Sequence, residues 1–258
     1  MTSAPFLETV DPQIWVAAVL FFLVAFAYSS VGLGGGSSYT SLMAILGFNY
    51  LAIPLISLSL NILVTTLGSF NYLKNRHGRL SLILPFLVTS IPFSYLGGTL
   101  EVEKSLFYPI LFITLFFVFI RLVLFKKAVI LFGMSRLGKI FLSLGIGAIL
   151  GLVSGIVGIG GGIYLVPLVV VFGLGDEKEA AASGAIFIWL NSVAGLTARL
   201  QYNSVALYDY FPMVLAVALG GFLGSYLGAV KFSRAAMQNL LAFVVFVALY
   251  FLAQKIFV

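Results

Sequence analysis

The sequence contains no cysteine. Disulfides, thiolate nucleophiles and cysteine-ligated metals are excluded on that ground. Charge is nearly as scarce: 9% of the residues are charged, and the acidic ones number eight. All eight (Glu8, Asp11, Glu101, Glu103, Asp176, Glu177, Glu179 and Asp209) fall in tails, in loops or at the ends of apolar stretches. A carboxylate proton relay or cation site inside a bilayer therefore has no members to draw on. The single histidine, His77, sits in the polar stretch KNRHGR, where a solvated loop residue is the default reading. No nucleophile stands beside a base, and no group of histidine or carboxylate ligands occurs together. The residues describe neither an enzyme nor a metal site and require no cofactor. The N-terminal stretch MTSAPFLETVDPQ has no lysine or arginine, so it lacks the basic front end of a cleaved signal, and the first apolar run is expected to be retained.

What remains is apolar. Of 258 residues 62% are hydrophobic, and the mean hydropathy is +1.17; a soluble domain of this size has no means of hiding so much apolar surface. The chain reads as an integral membrane protein whose first partner is the lipid bilayer. The net charge of +6 does not point to nucleic acid, because the positive residues lie in short loops between apolar runs, where they orient a membrane protein.

Apolar stretches cover residues 13–33, 37–48, 51–73, 80–99, 105–125, 138–157, 163–174, 180–199, 210–230 and 235–254. Eight of these are about long enough to cross a hydrocarbon core of roughly 30 Å as helices. The two short ones, 37–48 and 163–174, each directly follow a glycine run: VGLGGGSSY at Val31 to Tyr39 and VGIGGGIYL at Val157 to Leu165. As one helix, residues 14–47 would be about 51 Å long, and three consecutive glycines disfavour an uninterrupted helix there. A break is expected in each half.

The halves match elsewhere too. Asn61, ten residues, then Tyr72 is answered by Asn191, ten residues, then Tyr202, and SYLG occurs at Ser94 to Gly97 and again at Ser225 to Gly228. The matches come in the same order at similar offsets, which suggests a duplicated unit: a first repeat over 1–125, a basic linker over 126–137 and a second repeat over 138–258. Chance recurrence of glycine-rich and tyrosine-containing segments is the competing explanation. With ten segments and the N-terminus outside, the cytoplasmic side holds Lys74, Arg76, Arg79, Arg121, Lys126, Lys127, Arg136, Lys139, Lys178, Lys231 and Arg234, leaving Lys104, Arg199 and Lys255 outside. Five segments per half then invert the second repeat. An eight-span alternative, with the N-terminus inside, places one fewer positive residue in the cytoplasm. The expected fold is an all-α polytopic membrane protein of two homologous, inverted repeats. Each has about four long helices plus a short broken or re-entrant helix after its glycine run.

A broken helix leaves amides and carbonyls unpaired, and hydrocarbon cannot satisfy them, so the breaks should face the interior. Glycine adopts left-handed conformations and leaves its amide uncovered, so consecutive amides can converge on an anion. Ser37 and Ser38 follow the first run as capping residues for a short helix whose positive end would point to the same place. Gly34, Gly35, Gly36, Ser37 and Ser38, together with Gly160, Gly161 and Gly162, are thus candidate substrate-binding residues. Glycine runs also let helices pack closely, and that reading stands beside the first. Asn61 and Asn191 are candidate side-chain donors, or ties between helices. Thr65, Thr66 and Ser192 add hydroxyls that membrane helices commonly bond back to their own backbone. Tyr72 and Tyr202 read as interfacial anchors. Arg199 is a further candidate, either holding an anion or reaching to the membrane surface.

Two glycine-run breaks, GLGGGSS at Gly32 to Ser38 and GIGGGIY at Gly158 to Tyr164, in a small, duplicated and very apolar chain resemble the TauE/SafE sulfite exporter family. The resemblance extends from about Ala18 to about Phe251. It implies a permease that moves sulfur-containing anions such as sulfite, sulfonates and related organic anions without an ATPase domain of its own. The second break departs from the first, with Ile163 and Tyr164 where the first has its serine pair, so the two halves are not expected to contribute equally. The reading that results is a permease for a small anion, a sulfur oxyanion or organosulfonate, working by alternating access in a bacterial inner membrane. Its expected partners are that anionic solute and the bilayer, with no nucleic acid. An anion channel on the same scaffold and a membrane assembly subunit that carries no solute are the alternatives.

Overall fold

The computed structural model describes residues 12–75, 80–100, 102–124, 135–171, 174, 177–204, 207–231 and 233, and individual residues between 239 and 256. Nearly all of the described chain is helical: α1 Pro12–Ser29, α2 Gly36–Ile45, α3 Ala52–Lys74, α4 Leu84–Thr99, α5 Lys104–Leu124, α6 Arg136–Val157, α7 Gly162–Val171, α8 Glu177–Arg199 and α9 Phe211–Val230, with 3-10 turns at Leu80–Leu82 and Leu207–Tyr210. Helical residues recur between Asn239 and Ile256. His77 and the basic stretch 126–134 lie outside the described residues.

The two short segments are helices of ten residues each, about 15 Å long and so about half of a hydrocarbon core. The stretch expected over 80–99 is divided: a 3-10 turn precedes α4, which starts with a proline in its first turn. Among the described residues four helices are long and apolar enough to cross a membrane, at Ala52–Lys74, Leu137–Val157, Lys178–Arg199 and Tyr208–Val230, and the shorter Trp15–Ser29 and Ser105–Phe117 are apolar as well. Large hydrophobic side chains on the outside, among them Trp15, Val19 and Leu23 on α1 and Leu215, Leu219 and Phe222 on α9, are exposed, as a surface solvated by lipid requires.

α3 and α8 pack together at the centre; 61% of each spanning window is buried, against 39% in α6 and α9. Around them α1 packs on α9 and α4 on α6, while α2 lies on α3 and α7 on α8. Two glycine stripes allow the close pairs. On α6, a Cβ at Gly147, Gly151 or Gly155 would collide with the backbone of α4 at Phe86, Ser90 or Ser94. On α9, a Cβ at Gly220 or Gly224 would collide with α1 at Phe22 or Phe26, and one at Gly228 with Ser30 just past its end. Glycine at every fourth position puts the gaps on one helix face, so backbones approach where lipid supplies no hydrophobic drive. Thr89 donates across the α4–α6 seam to Leu144 O at 2.7 Å.

Candidate functional site

Both glycine runs end one helix and begin another, and the backbone shows why they are glycines. α1 closes with the Leu33 amide donating to Tyr28 O at 2.9 Å, and Gly32 then takes φ 75°. Gly35, at φ 89°, starts α2, its carbonyl accepting from the Ser38 and Tyr39 amides at 3.0 Å each. α6 closes with the Gly158 amide on Ser154 O at 2.9 Å. The chain then runs through Gly158, Gly160 and Gly161 at φ 81°, 80° and 75° into α7. Residues with a side chain rarely take these values.

Space is the second constraint. A Cβ on Gly36 would strike Asn61 and lie 2.8 Å from Ile159 O, so the first break touches the second. A Cβ on Gly34 would sit 3.1 Å from Asn61 Cγ and 3.2 Å from Ile188 Cγ2. One on Gly160 would sit 3.1 Å from Asn61 Nδ2, 3.0 Å from Ser192 Oγ and 2.6 Å from Ile188 Cγ2. Ser57 joins the breaks directly, its hydroxyl reaching Gly158 O at 2.7 Å and Gly36 O at 3.3 Å.

Asn61 is fully buried at this junction, and among the described residues neither Nδ2 nor Oδ1 has a hydrogen-bond partner; the same holds for Ser192 Oγ. Among the described residues no hydrogen bond engages the amides of Gly34, Gly35, Gly36 and Ser37, or those of Ile159, Gly160, Gly161 and Gly162. The junction therefore gathers two helix N-termini, with their partial positive charge, around an amide side chain that has bonds to give. Leaving such groups unbonded in a dry interior costs about 1–3 kcal/mol each, and bound water, an ion or a ligand can complete such a set.

Not every candidate from the sequence is directed to this point. Gly34, Gly36, Gly160 and Asn61 meet there, Gly162 abuts Ile188 beside it, and Gly35 and Gly161 make the turns. The serine pair does not cap α2: its N-cap is Gly35, without a side-chain bond. Ser37 Oγ instead donates to Tyr28 Oη at 3.1 Å, and Ser38 Oγ lies 2.9 Å from the same hydroxyl, so the pair ties α2 to α1. Thr65 donates to Asn61 O at 2.7 Å, and Asn191 turns its Nδ2 back onto Phe187 O at 2.8 Å. Arg199 is buried beneath the second break, with Nε and Nη2 on Gly155 O at 3.2 and 3.0 Å and Nη2 on Ile156 O at 2.7 Å. It thus covers the carbonyl end of α6, where a positive charge meets the negative end of the helix dipole. Tyr72 serves α1 in the same way, donating to Ser30 O at 2.7 Å. It is a buried cap, while Tyr202 is exposed.

A chain with this architecture can be compared with known proteins over nearly its whole length. Residues 17–256 match the family Sulfite exporter TauE/SafE. The chain belongs to the TauE/SafE family. A relative described as probable membrane transporter protein y4hK, from Sinorhizobium fredii, is 31% identical over 235 residues, covering 90% of this chain and 94% of the relative. No solved structure matches the chain. As a TauE/SafE protein it is an integral membrane transporter and not an enzyme.

In this TauE/SafE chain the junction also uses residues that were not singled out from the sequence. Ser57 bridges the two breaks, and its signal was present: Ser57, Asn61 and Thr65 recur every fourth residue, which puts three polar groups on one face of α3. Ile188 had no such signal, being one apolar residue in an apolar helix.

Proposed function

We propose that this transporter carries a small anion, a sulfur oxyanion or organosulfonate such as sulfite, through the junction of its two breaks by alternating access. The observation that carries the proposal is Asn61: a fully buried amide without a partner, set where both glycine runs converge. Amides and an amide side chain favour a negative solute, and no carboxylate is needed to receive one. Gly34, Gly35, Gly36, Gly160, Gly161 and Gly162 supply backbone donors, with Asn61 as the side-chain donor and Ser192 beside it.

The proposal includes a duplicated, inverted architecture, 1–125 and 138–258 about the linker 126–137, with the N-terminal end outside a bacterial inner membrane. Reciprocal packing supports it. α1 lies on α9 as α6 lies on α4. Gly32 abuts Ala181 as Gly158 abuts Pro54, and Gly36 abuts Asn61 as Gly162 abuts Ile188. Tyr72 caps α1 as Arg199 caps α6. Pro54 and Ala181, Asn61 and Ile188, and Tyr72 and Arg199 are each 127 positions apart. Halves related in this way can rock about a shared centre.

Flux into proteoliposomes tests the proposal. Labelled sulfite should enter saturably, and faster when unlabelled sulfite is trapped inside. Gly35→Ala and Gly161→Ala, which force a side chain into a left-handed turn, should lower that flux at least tenfold in protein that still folds. Unit conductances without countertransport would mean a channel, and unaltered flux in both variants would remove the glycine cradle.

A further inference from the structure

The centre between the breaks is lined by polar groups with one apolar side chain among them. Asn61 on α3 stands against Gly34, Gly36 and Gly160, and Ser192 on α8 stands against Gly160. Both carry polar atoms without partners. Ile188, one turn before Ser192 on the same face of α8, occupies the place that corresponds to that of Asn61. Its Cγ2 lies 3.2 Å from a Cβ built at Gly34 and 2.6 Å from one built at Gly160, and its Cγ1 and Cδ1 are what a side chain on Gly162 would strike. Ile188 is fully enclosed, at 1% exposure. An anion held by Asn61 and the amides of the breaks must present one side to a branched alkyl group.

That arrangement treats anions of similar size differently. Sulfate carries charged oxygen on every face, so whichever oxygen turns toward Ile188 gives up water and gains no donor. Desolvating a charged oxygen without a partner is unfavourable. An anion with oxygens at one end and carbon at the other avoids this, because its carbon end buries against Ile188. We infer that Ile188 is a specificity-determining residue, selecting anions with one oxygen-bearing end and one apolar end, short alkanesulfonates foremost, over anions with oxygen on all sides. Ile188 has this role only if the breaks hold the anion, as proposed above.

Methanesulfonate and sulfate are the probes, since one is the other with an oxygen replaced by a methyl group. They also differ in charge, so the deciding quantity is how their affinity ratio changes between proteins. Titration calorimetry on purified wild type, Ile188→Val, Ile188→Asn and Ile188→Thr measures it. The wild type should favour methanesulfonate by about ten- to a hundredfold, the range over which an apolar pocket rejects an added polar atom. Ile188→Val should keep that ratio. Ile188→Asn, which copies Asn61 onto the corresponding place of α8, should lower it at least tenfold. Ile188→Thr keeps the β-branched shape, should move the ratio in the same direction, and carries the comparison if Ile188→Asn does not fold. An unchanged ratio in folded polar variants, with methanesulfonate still bound, overturns the role of Ile188 and leaves the anion site standing. If neither anion binds the wild type, the anion site itself is overturned.

Discussion

Asn61→Leu is expected to weaken anion binding and transport at least tenfold while leaving the protein as stable as the wild type, or more so. Leucine reproduces the branched outline of asparagine, and the amide it replaces makes no hydrogen bond to the protein. Removing an unbonded buried polar group relieves a penalty of about 1–3 kcal/mol, where an ordinary core asparagine would lose bonds. A bound anion sees the reverse, because a hydrogen bond to a charged group contributes about 1.5–3 kcal/mol. Losing it should weaken anion affinity about ten- to a hundredfold. Parallel thermal unfolding and proteoliposome flux check both halves. A protein that unfolds earlier and yet still transports would make Asn61 a helix tie and not a ligand residue.

Arg199→Ala is expected to be the more destabilising of the two cap substitutions at the breaks. The guanidinium is buried and makes three hydrogen bonds to the last carbonyls of α6. Its removal leaves Gly155 O and Ile156 O without those donors at the end of a helix that glycines prevent from continuing. Charge-assisted bonds of this kind contribute about 1.5–3 kcal/mol each, part of which offsets the cost of burying the charge. A net loss of about 2–3 kcal/mol is expected. Tyr72→Phe at the first break removes one neutral bond, to Ser30 O, and should cost only about 1 kcal/mol. Arg199→Lys keeps the charge but not the fork, and should fall between Arg199→Ala and the wild type. Denaturant unfolding in detergent orders the variants. If Arg199→Ala cost less than Tyr72→Phe, Arg199 would not be a cap, and an anion-holding or interfacial role would return.

Hydropathy made four long membrane spans among the described residues legible in the sequence, of the eight stretches of spanning length it marked, because the bilayer sorts whole segments by apolar length. The breaks were legible as well, since three adjacent glycines oppose a continuous helix and the chain here does turn at Gly35 and at Gly160 and Gly161. Asn61 could be picked out because an amide deep in an apolar span is costly. What could not be read was direction. The serine pair looks like a cap from its position, but its partner is Tyr28, one helix earlier. Arg199 at a helix end looks like a residue that reaches to the surface, and only the fold reveals carbonyls within its grasp. The match of Asn61 with Asn191 spans 130 positions, whereas reciprocal contacts pair residues 127 apart. A shift of three is nearly one helical turn, so a similar residue pattern recurs on almost the same face. The glycine stripes on α6 and α9 were in the sequence as glycine at every fourth position, but which helix each one meets depended on the fold.

Thermal unfolding of purified wild type and Asn61→Leu, each titrated with sulfite, methanesulfonate, sulfate, taurine, acetate and chloride, tests most directly whether the breaks hold an anion. The expected result is an upward shift of the wild type that is selective for a sulfur anion, about 2.7 kcal/mol at a hundred times its dissociation constant, and reduced to about 0.4–1.4 kcal/mol in Asn61→Leu at the same concentration. Wild type that no anion stabilises, or an equal shift in both proteins, would contradict a binding centre at Asn61.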